Sequence, residues 1–347
     1  MNLPVPLIEG HPLTALAPMQ DVTTLAFMTL MGEYGPPDYF FTEYFRVHES
    51  SRLEPKILAS ITENPTGRPV FAQLIGESLP DIHRTVEELS RYPVAGIDLN
   101  MGCPAPKVYK KCVGGGLLRD LDKVNALFEL LREVAPKRFT VKMRIGFEDT
   151  SPLQPILELI HRHKPDLVSI HGRTVKDRYH GTVNYHAIGQ AVEYLNEPVL
   201  ANGNISSPAK ASAVLKQTRA AGVMIGRAAI RNPWIFRQIR EWNSGQPIYQ
   251  PKLEDVRIYI ERLYAKVKRT DCPERVNVSG MKKFLNFIGL SIDADGQFLY
   301  QARRARSEKE LFTICDHFLI EDGKAFLNFP AEPYSGLVAR PNCEIAR

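Results

Sequence analysis

The first two thirds of the chain repeat one pattern, in which a short apolar run ends in a polar or glycine-rich turn and a segment of helical periodicity follows. The runs are rich in Val, Ile, Phe and Leu and do not alternate with polar residues, which is typical of strands buried on both faces of a parallel sheet. Eight runs fit this description: residues 13–18, 39–42, 69–74, 96–100, 139–144, 167–171, 198–202 and 222–226. Eight strand–helix units in about 230 residues match a TIM barrel, and we therefore predict a (β/α)8 barrel.

A doubly wound open sheet is the alternative architecture. It normally has fewer strands, and no G-x-G-x-x-G sequence follows the first predicted strand. The segments between the runs indicate helices, because apolar residues recur at helical spacing over residues 79–90, 124–134 and 156–163. Ser207-Pro208 is a typical helix start, with serine as the cap and proline at the first position.

From about Asn232 the pattern changes, and only helical periodicity remains, over residues 253–269, 279–289 and 307–319. We therefore predict a small all-helical C-terminal domain behind the barrel. The predicted organisation is a barrel domain over residues 1–240, a helical domain over 241–330 and an irregular tail over 331–347.

Polar side chains, with glycine and other turn residues beside them, end or follow nearly every predicted strand, at the end of a barrel where active sites lie. The residues in question are Pro18 and Met19, Gln73, Asn100, Cys103, Lys142, Arg144, His171, Arg173, Asn202, Gly203, Asn204, Gly226 and Arg227. A barrel without a site has no reason to collect polar groups there.

The turns after the last two strands predict a phosphate site. Asn202-Gly203-Asn204 offers small residues whose backbone N–H groups can approach an anion, and Gly226-Arg227 offers a glycine and a cation at a helix start. Simple tight turns are the alternative explanation.

Lys142 lies in a strand that is otherwise apolar, and buried lysines are rare unless they are paired. It either balances a carboxylate in the barrel core or faces the electron-rich ring of a cofactor. In the second case Gln73 and His171 are placed to hydrogen-bond the same ring.

Cys103 follows the fourth predicted strand in the sequence Asn100-Met101-Gly102-Cys103-Pro104. A small cysteine in a tight turn is often inert. Here Asn100, Gly102 and Lys107 form a polar pocket mouth, where a thiol can act as an acid or as a nucleophile.

Residues 173–185 form a basic loop that interleaves Arg173, Lys176 and Arg178 with Tyr179. It is either a solvated loop or a lid that meets an anionic polymer and stacks on its bases. The C-terminal part adds further basic residues, namely Lys282, Lys283, Arg303, Arg304 and Arg306.

Composition narrows the class of protein. With 44% hydrophobic and 24% charged residues, the 347-residue chain is expected to form a packed core, and its net charge of +5 is compatible with a polyanionic partner. The five cysteines form no C-x-x-C pair, which argues against a disulfide framework and against a metal site. The N-terminus lacks the pattern of a signal peptide and no stretch is apolar enough to span a membrane, so we expect a cytoplasmic protein.

The motifs together resemble the tRNA-dihydrouridine synthases. The resemblance rests on Asn100–Pro104 with Lys107, and on further motifs in the family's order: Ala17-Pro18-Met19, Gly114-Gly115-Gly116-Leu117-Leu118-Arg119, Val141-Lys142-Met143-Arg144, His171-Gly172-Arg173-Thr174, Asn202-Gly203-Asn204-Ile205, Met224-Ile225-Gly226-Arg227 and Asn232-Pro233-Trp234. Asn204 is neutral where the family often has an acidic residue.

The resemblance implies an FMN-binding barrel with a helical tRNA-binding domain, and reduction of the C5–C6 double bond of uridine in tRNA with NADPH as reductant. In the family's mechanism hydride passes from the flavin to C6 and the motif cysteine protonates C5, which makes Cys103 the general acid. Asn100, Lys107, Arg173 and Arg178 are then expected to contact the RNA. FMN is expected to contact Pro18, Met19, Gln73, Lys142, His171, Asn202, Gly203, Asn204, Gly226 and Arg227. The resemblance implies no protein partner.

Two other functions compete with this one. A flavoprotein acting on a free pyrimidine, similar to a dihydroorotate dehydrogenase, needs the barrel, the lysine and the phosphate loops but no basic helical domain. A non-enzymatic RNA-binding protein on a decayed barrel predicts losses among Cys103, Lys142 and the phosphate loops, and all of these are present.

Overall fold

The computed structural model describes residues 3–339, and the last part of the predicted irregular tail, residues 340–347, lies outside this range. The chain divides into two compact units. The first comprises residues 1–25, 37–205 and 210–226, and the second comprises residues 26–36, 206–209 and 227–347. The predicted domain boundary at residue 240 stays a prediction.

The first unit contains a closed parallel barrel, as predicted. Its strands are β1 (Leu13–Leu16), β2 (Tyr39–Phe41), β4 (Val70–Ile75), β5 (Gly96–Met101), β6 (Phe139–Arg144), β7 (Leu167–His171), β8 (Val199–Asn202) and β9 (Gly222–Ile225). Each strand pairs in parallel with the next, and β1 pairs with both β2 and β9, which closes the ring. All eight predicted strands are confirmed to within two residues at each end.

One strand was not predicted. β3 (Phe45–Arg46) pairs with the end of β4, opposite Leu74 and Ile75. Two residues carry too little pattern to be distinguished from a loop.

Helices connect the strands of the barrel. They are α2 (Pro55–Thr62), α3 (Leu79–Leu89), α4 (Pro106–Tyr109), α5 (Leu121–Val134), α6 (Leu153–His163), α7 (Tyr185–Tyr194) and α8 (Pro208–Thr218), with a 3₁₀ helix at Gly114–Arg119. Strands and helices alternate as the buried runs and periodic segments predicted. α8 begins at Pro208, directly after Ser207, as predicted.

Apolar side chains fill the barrel below its polar edge. Tyr39, Phe41 and Phe71 pack with their ring centroids 5.0–5.8 Å apart, and Leu200 and Met224 belong to the same fully buried cluster. This packed floor supports the carboxyl ends of the strands, where the polar residues lie.

The described part of the second unit is helical apart from one isolated bridge between Lys252 and Asn328. Its helices are α1 (Leu25–Tyr34, whose first residue belongs to the barrel unit), α9 (Arg227–Arg231), α10 (Ile235–Asn243), α11 (Leu253–Val267), α12 (Glu274–Ile288), α13 (Gln297–Ala302) and α14 (Glu308–Leu319), with 3₁₀ helices at Gly289–Ser291 and Glu321–Phe326. α12 begins five residues earlier than predicted; its first turn, after Pro273, is mostly polar, and its one apolar residue, Val276, is exposed. No helix in residues 3–339 is long and apolar enough to cross a membrane.

Candidate active site

Strand register brings the predicted polar residues side by side at the carboxyl end of the barrel. Asn100 on β5 is the register partner of Lys142 on β6. His171 on β7 lies between Arg144 on β6 and Asn202 on β8. These residues come from four adjacent strands, so side chains far apart in the sequence share one edge of the sheet.

The Asn100 side chain organises the turn that carries Cys103. Its Oδ1 accepts hydrogen bonds from the backbone N–H groups of Gly102 at 3.1 Å and Cys103 at 3.0 Å. Its Nδ2 donates to Oε1 of Gln73 at 2.8 Å. Asn100 therefore links the turn to strand β4 as well as to its own strand.

Cys103 is half-buried between β5 and α4. Burial raises the pKa of its thiol above the usual value, and this effect outweighs the opposing effects of a hydrogen bond to the Ala105 backbone and of the charges on Arg144, Lys142 and Arg46. The thiol is therefore protonated at neutral pH, as a proton donor must be. A nucleophilic cysteine needs the opposite shift.

Lys142 brings a partly exposed cation to the carboxyl end of the barrel strands. Its Nζ donates to Oδ1 of Asn202 at 3.3 Å, and Nδ2 of Asn202 donates to the Met224 carbonyl oxygen at 2.7 Å. Burial, with a smaller contribution from the charge on Arg144, lowers the pKa of Lys142 from 10.5 to about 8, against the opposing effects of Asp98 and Cys103. Within residues 3–339 Lys142 forms no ion pair, so the carboxylate-balancing alternative has no partner in contact.

The turn after β8 has a backbone conformation that favours glycine. Gly203 has a φ of +124°, a conformation that favours glycine, and its carbonyl oxygen accepts a 2.7 Å hydrogen bond from the Tyr185 hydroxyl. Asn204 next to it has a φ of +47°.

After β9, a Cβ on Gly226 would lie 3.2 Å from the sulfur of Met19, so glycine keeps this turn open beside a predicted cofactor residue. Pro18, like Met19, is partly exposed after β1. Arg227 is the first residue of α9 and belongs to the second unit, and its assignment to the cofactor stays a prediction.

The basic loop after β7 is held by two buried arginines. Arg173 is 2% exposed, and its guanidinium donates to the carbonyl oxygens of His180 and Gly181 at 2.6–3.2 Å. Arg144 donates to the carbonyl oxygens of Thr174 and Arg178, at 2.6 and 2.8 Å.

Arg144 also donates through Nε to the Gly102 carbonyl oxygen, so one guanidinium ties the basic loop to the Cys103 turn. Arg178, Tyr179 and Lys107 are exposed and available to a large ligand, whereas Arg173 is occupied by its own loop.

Sequence reasoning missed two polar residues that lie inside the barrel below this edge. Asp98 and Thr140 are buried, and Asp98 accepts hydrogen bonds from Thr140 at 2.6 Å and from Gln73 at 2.7 Å. The available signal was an acidic residue inside an apolar strand, since carboxylates are rarely buried without partners.

Comparison with known proteins identifies the family to which the chain belongs. The family model described as dihydrouridine synthase matches residues 15–300, which include every residue of the edge described above. The chain belongs to the dihydrouridine synthase family.

Named relatives agree with this assignment. A probable tRNA-dihydrouridine synthase of Helicobacter pylori strain J99 is 38% identical over 235 residues, covering 67% of this chain and 71% of the relative. A tRNA-dihydrouridine(16) synthase of Haemophilus ducreyi is 33% identical over 248 residues, covering 67% and 75%. A tRNA-dihydrouridine(16) synthase of Neisseria meningitidis is 25% identical over 311 residues, covering 87% and 93%, so this similarity extends into the helical unit.

Proposed function

We propose that this chain reduces the C5–C6 double bond of specific uridines in tRNA, with FMN as its bound redox group and NADPH as the reductant. The observation that carries the proposal is the Cys103 turn, capped by Asn100 and lying next to a Lys142 cation that has no anionic partner in contact. Membership of the dihydrouridine synthase family supports the same reaction.

The residues of the barrel edge fit a flavin mononucleotide. Lys142 supplies a positive charge whose pKa burial lowers, and Gly203 and Gly226, which carry no side chain, leave their backbone N–H groups accessible for a proposed phosphate contact. The residues proposed to hold the group are Pro18, Met19, Gln73, Lys142, His171, Asn202, Gly203, Asn204 and Gly226. When bound, the flavin supplies the hydride that the double bond accepts.

Cys103 is the proposed general acid for the second half of the reduction. Its raised pKa keeps the proton on Sγ until a carbanionic carbon accepts it, and we assign that carbon to C5 of the uracil. Asn100 holds the turn in place, so the thiol reaches the base from a fixed backbone.

Exposed basic side chains are proposed to bind the RNA substrate. Lys107 on α4 and Arg178 in the loop after β7 are proposed to contact the RNA backbone, and the exposed ring of Tyr179 offers a surface on which a base can stack. Arg173 is proposed to act through the loop that it orders. A cytoplasmic location is part of this proposal.

The deciding experiment measures dihydrouridine in tRNA. Purified protein is supplied with FMN, NADPH and tRNA lacking the modification, and the RNA is mapped for dihydrouridine. Formation at defined uridines supports the proposal. If the flavin-loaded protein reduces a free pyrimidine and leaves tRNA unchanged, the small-molecule alternative is correct, and a protein that binds no FMN excludes both flavoprotein functions.

A further inference from the structure

Four buried side chains form a continuous hydrogen-bonded row across strands β4, β5 and β6. Thr140 Oγ1 donates to Oδ1 of Asp98 at 2.6 Å, and Nε2 of Gln73 donates to Oδ2 of the same carboxylate at 2.7 Å. Nδ2 of Asn100 donates to Oε1 of Gln73 at 2.8 Å, and Oδ1 of Asn100 accepts from the Cys103 backbone. The row therefore connects the Asp98 carboxylate, inside the barrel, to the turn that carries the cysteine.

The groups on either side of the two amides determine in which direction the hydrogen bonds of the row run. An ionised Asp98 carboxylate can only accept hydrogen bonds, and the backbone N–H groups of Gly102 and Cys103 can only donate. Between these ends lie the amides of Gln73 and Asn100, each of which can face two ways. Only one arrangement satisfies both ends: Gln73 turns its NH₂ group to Asp98, and Asn100 turns its oxygen to the backbone.

Asp98 is a costly residue to place here. It is fully buried, and burial raises the pKa of its carboxyl group to about 6, against the opposing effects of the hydrogen bonds from Thr140 and Gln73 and of the Lys142 charge. Packing alone therefore gives no reason for a carboxylate at this position.

We propose that Asp98 is a positioning residue, which fixes the orientation of the Gln73 and Asn100 amides and, through Asn100, the backbone of the Cys103 turn. Without an acceptor at position 98, the Gln73 amide is free to reverse. The orientation of the Asn100 amide, with its oxygen toward the turn, is then no longer fixed. The role of this orientation in proton delivery rests on the proposed function, whereas the orientation itself does not.

Amide hydrogen exchange of the ligand-free protein tests the orientation directly. The N–H groups of Gly102 and Cys103 donate to Asn100, and Pro104 and Pro106 have no N–H group, so a peptide over residues 101–106 reports almost entirely on this turn. Replacing Asp98 by leucine removes the acceptor. We expect exchange in this peptide to become about tenfold faster, the effect of losing roughly one hydrogen bond.

A reciprocal exchange of acid and amide sharpens the test. Gln73→Glu alone places a second carboxylate against Asp98, so we expect a similar acceleration of about tenfold. In the double variant Asp98→Asn with Gln73→Glu, the new amide at position 98 donates to the new carboxylate at position 73. That carboxylate still accepts from Asn100, so the direction of the row is restored. Exchange in the double variant is expected to return to within about twofold of the wild-type rate.

Val141→Ala is the matched control, because Val141 is fully buried on β6 and takes no part in the row. If Asp98→Leu and Gln73→Glu accelerate exchange of this peptide no more than Val141→Ala does at equal loss of stability, Asp98 is merely structural and the proposal is wrong. A double variant that exchanges as fast as Gln73→Glu alone also overturns it, because the direction of the row then does not matter.

The outcome is independent of the proposed reaction. Exchange is measured without flavin or RNA, so wild-type protein that forms no dihydrouridine contradicts the proposed function and leaves the exchange result standing. Where the wild type is active, Asp98→Leu is expected to lower kcat for dihydrouridine formation.

Discussion

Lys142 in the barrel is a partly exposed cation and Arg231 in the helical unit is a buried one, and desolvation lowers the pKa of each, to about 8 and to about 10. Arg231 is surrounded by acceptors: its two terminal nitrogens donate to Ser291 Oγ and to the carbonyl oxygens of Ser206, Pro330 and Ala331, at 2.5–3.0 Å. Lys142 donates to one amide oxygen at 3.3 Å.

We interpret Arg231 as a structural cation and propose a ligand-binding role for Lys142. Four oxygens accept hydrogen bonds from the Arg231 guanidinium. Its charge therefore serves only to join Pro330 and Ala331 to helix α9 and to the turn at Ser206. Lys142 bears the cost of burial without comparable compensation, and such incomplete compensation is expected where a ligand supplies the missing anion. The two units therefore predict opposite responses to mutation: loss of function without loss of stability at the barrel edge, and the reverse in the helical unit.

The largest expected effect is on catalysis at Cys103. Cys103→Ala removes the proposed acid and is expected to lower the rate of dihydrouridine formation by about 10²–10⁴-fold, with little change in thermal stability because the side chain is small and half-buried. The rate is measured by dihydrouridine analysis of tRNA, and stability by thermal unfolding.

Cys315→Ala is the matched control in the helical unit. Cys315 is fully buried, and burial raises the pKa of its thiol to about 12, so it is an inert packing group. We expect this variant to lose about 1 kcal/mol of stability and to keep its catalytic rate. Equal rates for Cys103→Ala and the wild type would remove the acid assignment.

The second effect is on stability at Arg231. Arg231→Met leaves four oxygens without their donor, and we expect the free energy of unfolding to fall by about 3 kcal/mol. Urea unfolding measures the loss. Arg231→Lys keeps the charge but not the forked donor geometry, so it should recover only part of the loss. A neutral result for Arg231→Met would contradict the structural role.

Most of the fold was predictable because its signal is local. The eight barrel strands are buried on both faces and stand out as apolar runs, whereas β3 and α13, with two and six residues, are too short for a periodic pattern. The proximity of the candidate site residues was also predictable, since parallel strands bring their carboxyl ends to one edge.

The contacts within the site were not predictable. The hydrogen bonds of Asp98 depend on the register of β5 against β4 and β6, and its partners Gln73 and Thr140 lie 25 and 42 residues away in sequence. For the same reason the sequence did not predict the contacts of Arg173, whose guanidinium donates hydrogen bonds to its own loop. Its proposed contact with RNA stays a prediction.

The third effect is a pH dependence at Lys142. Because its pKa is lower in the folded protein than the usual 10.5, the folded state binds its proton less tightly than the unfolded state, and stability rises as pH increases from about 8 to about 10.5. At pH 7 the lowered pKa of Lys142 corresponds to a loss of at most about 3 kcal/mol in the free energy of unfolding.

Lys142→Met removes this titration. Its stability relative to the wild type is therefore expected to be greatest near pH 7 and to decline across that window, as measured by urea unfolding at pH 7, 8, 9 and 10. A difference between the two proteins that stays constant with pH would show that Lys142 is not desolvated in the folded state.

The smallest effect on stability is expected at Gly226, directly after β9, and Gly222 at the start of the same strand is its contrast. A Cβ on Gly222 would lie 2.1 Å from the Leu13 carbonyl oxygen, a contact that only backbone movement can relieve, so Gly222→Ala is expected to destabilise the barrel by several kcal/mol. At Gly226 the nearest atoms are the flexible Met19 sulfur at 3.2 Å and the Ala17 Cβ at 3.4 Å. Gly226→Ala should therefore cost under about 1 kcal/mol of stability.

The added methyl group at position 226 instead occupies space beside the proposed cofactor. We expect Gly226→Ala to weaken FMN binding several-fold, as followed by quenching of flavin fluorescence, while its unfolding curve stays close to that of the wild type. If Gly226→Ala binds FMN as tightly as the wild type, the turn after β9 does not approach the ligand, and Gly226 belongs with Gly222 among the residues that serve packing alone.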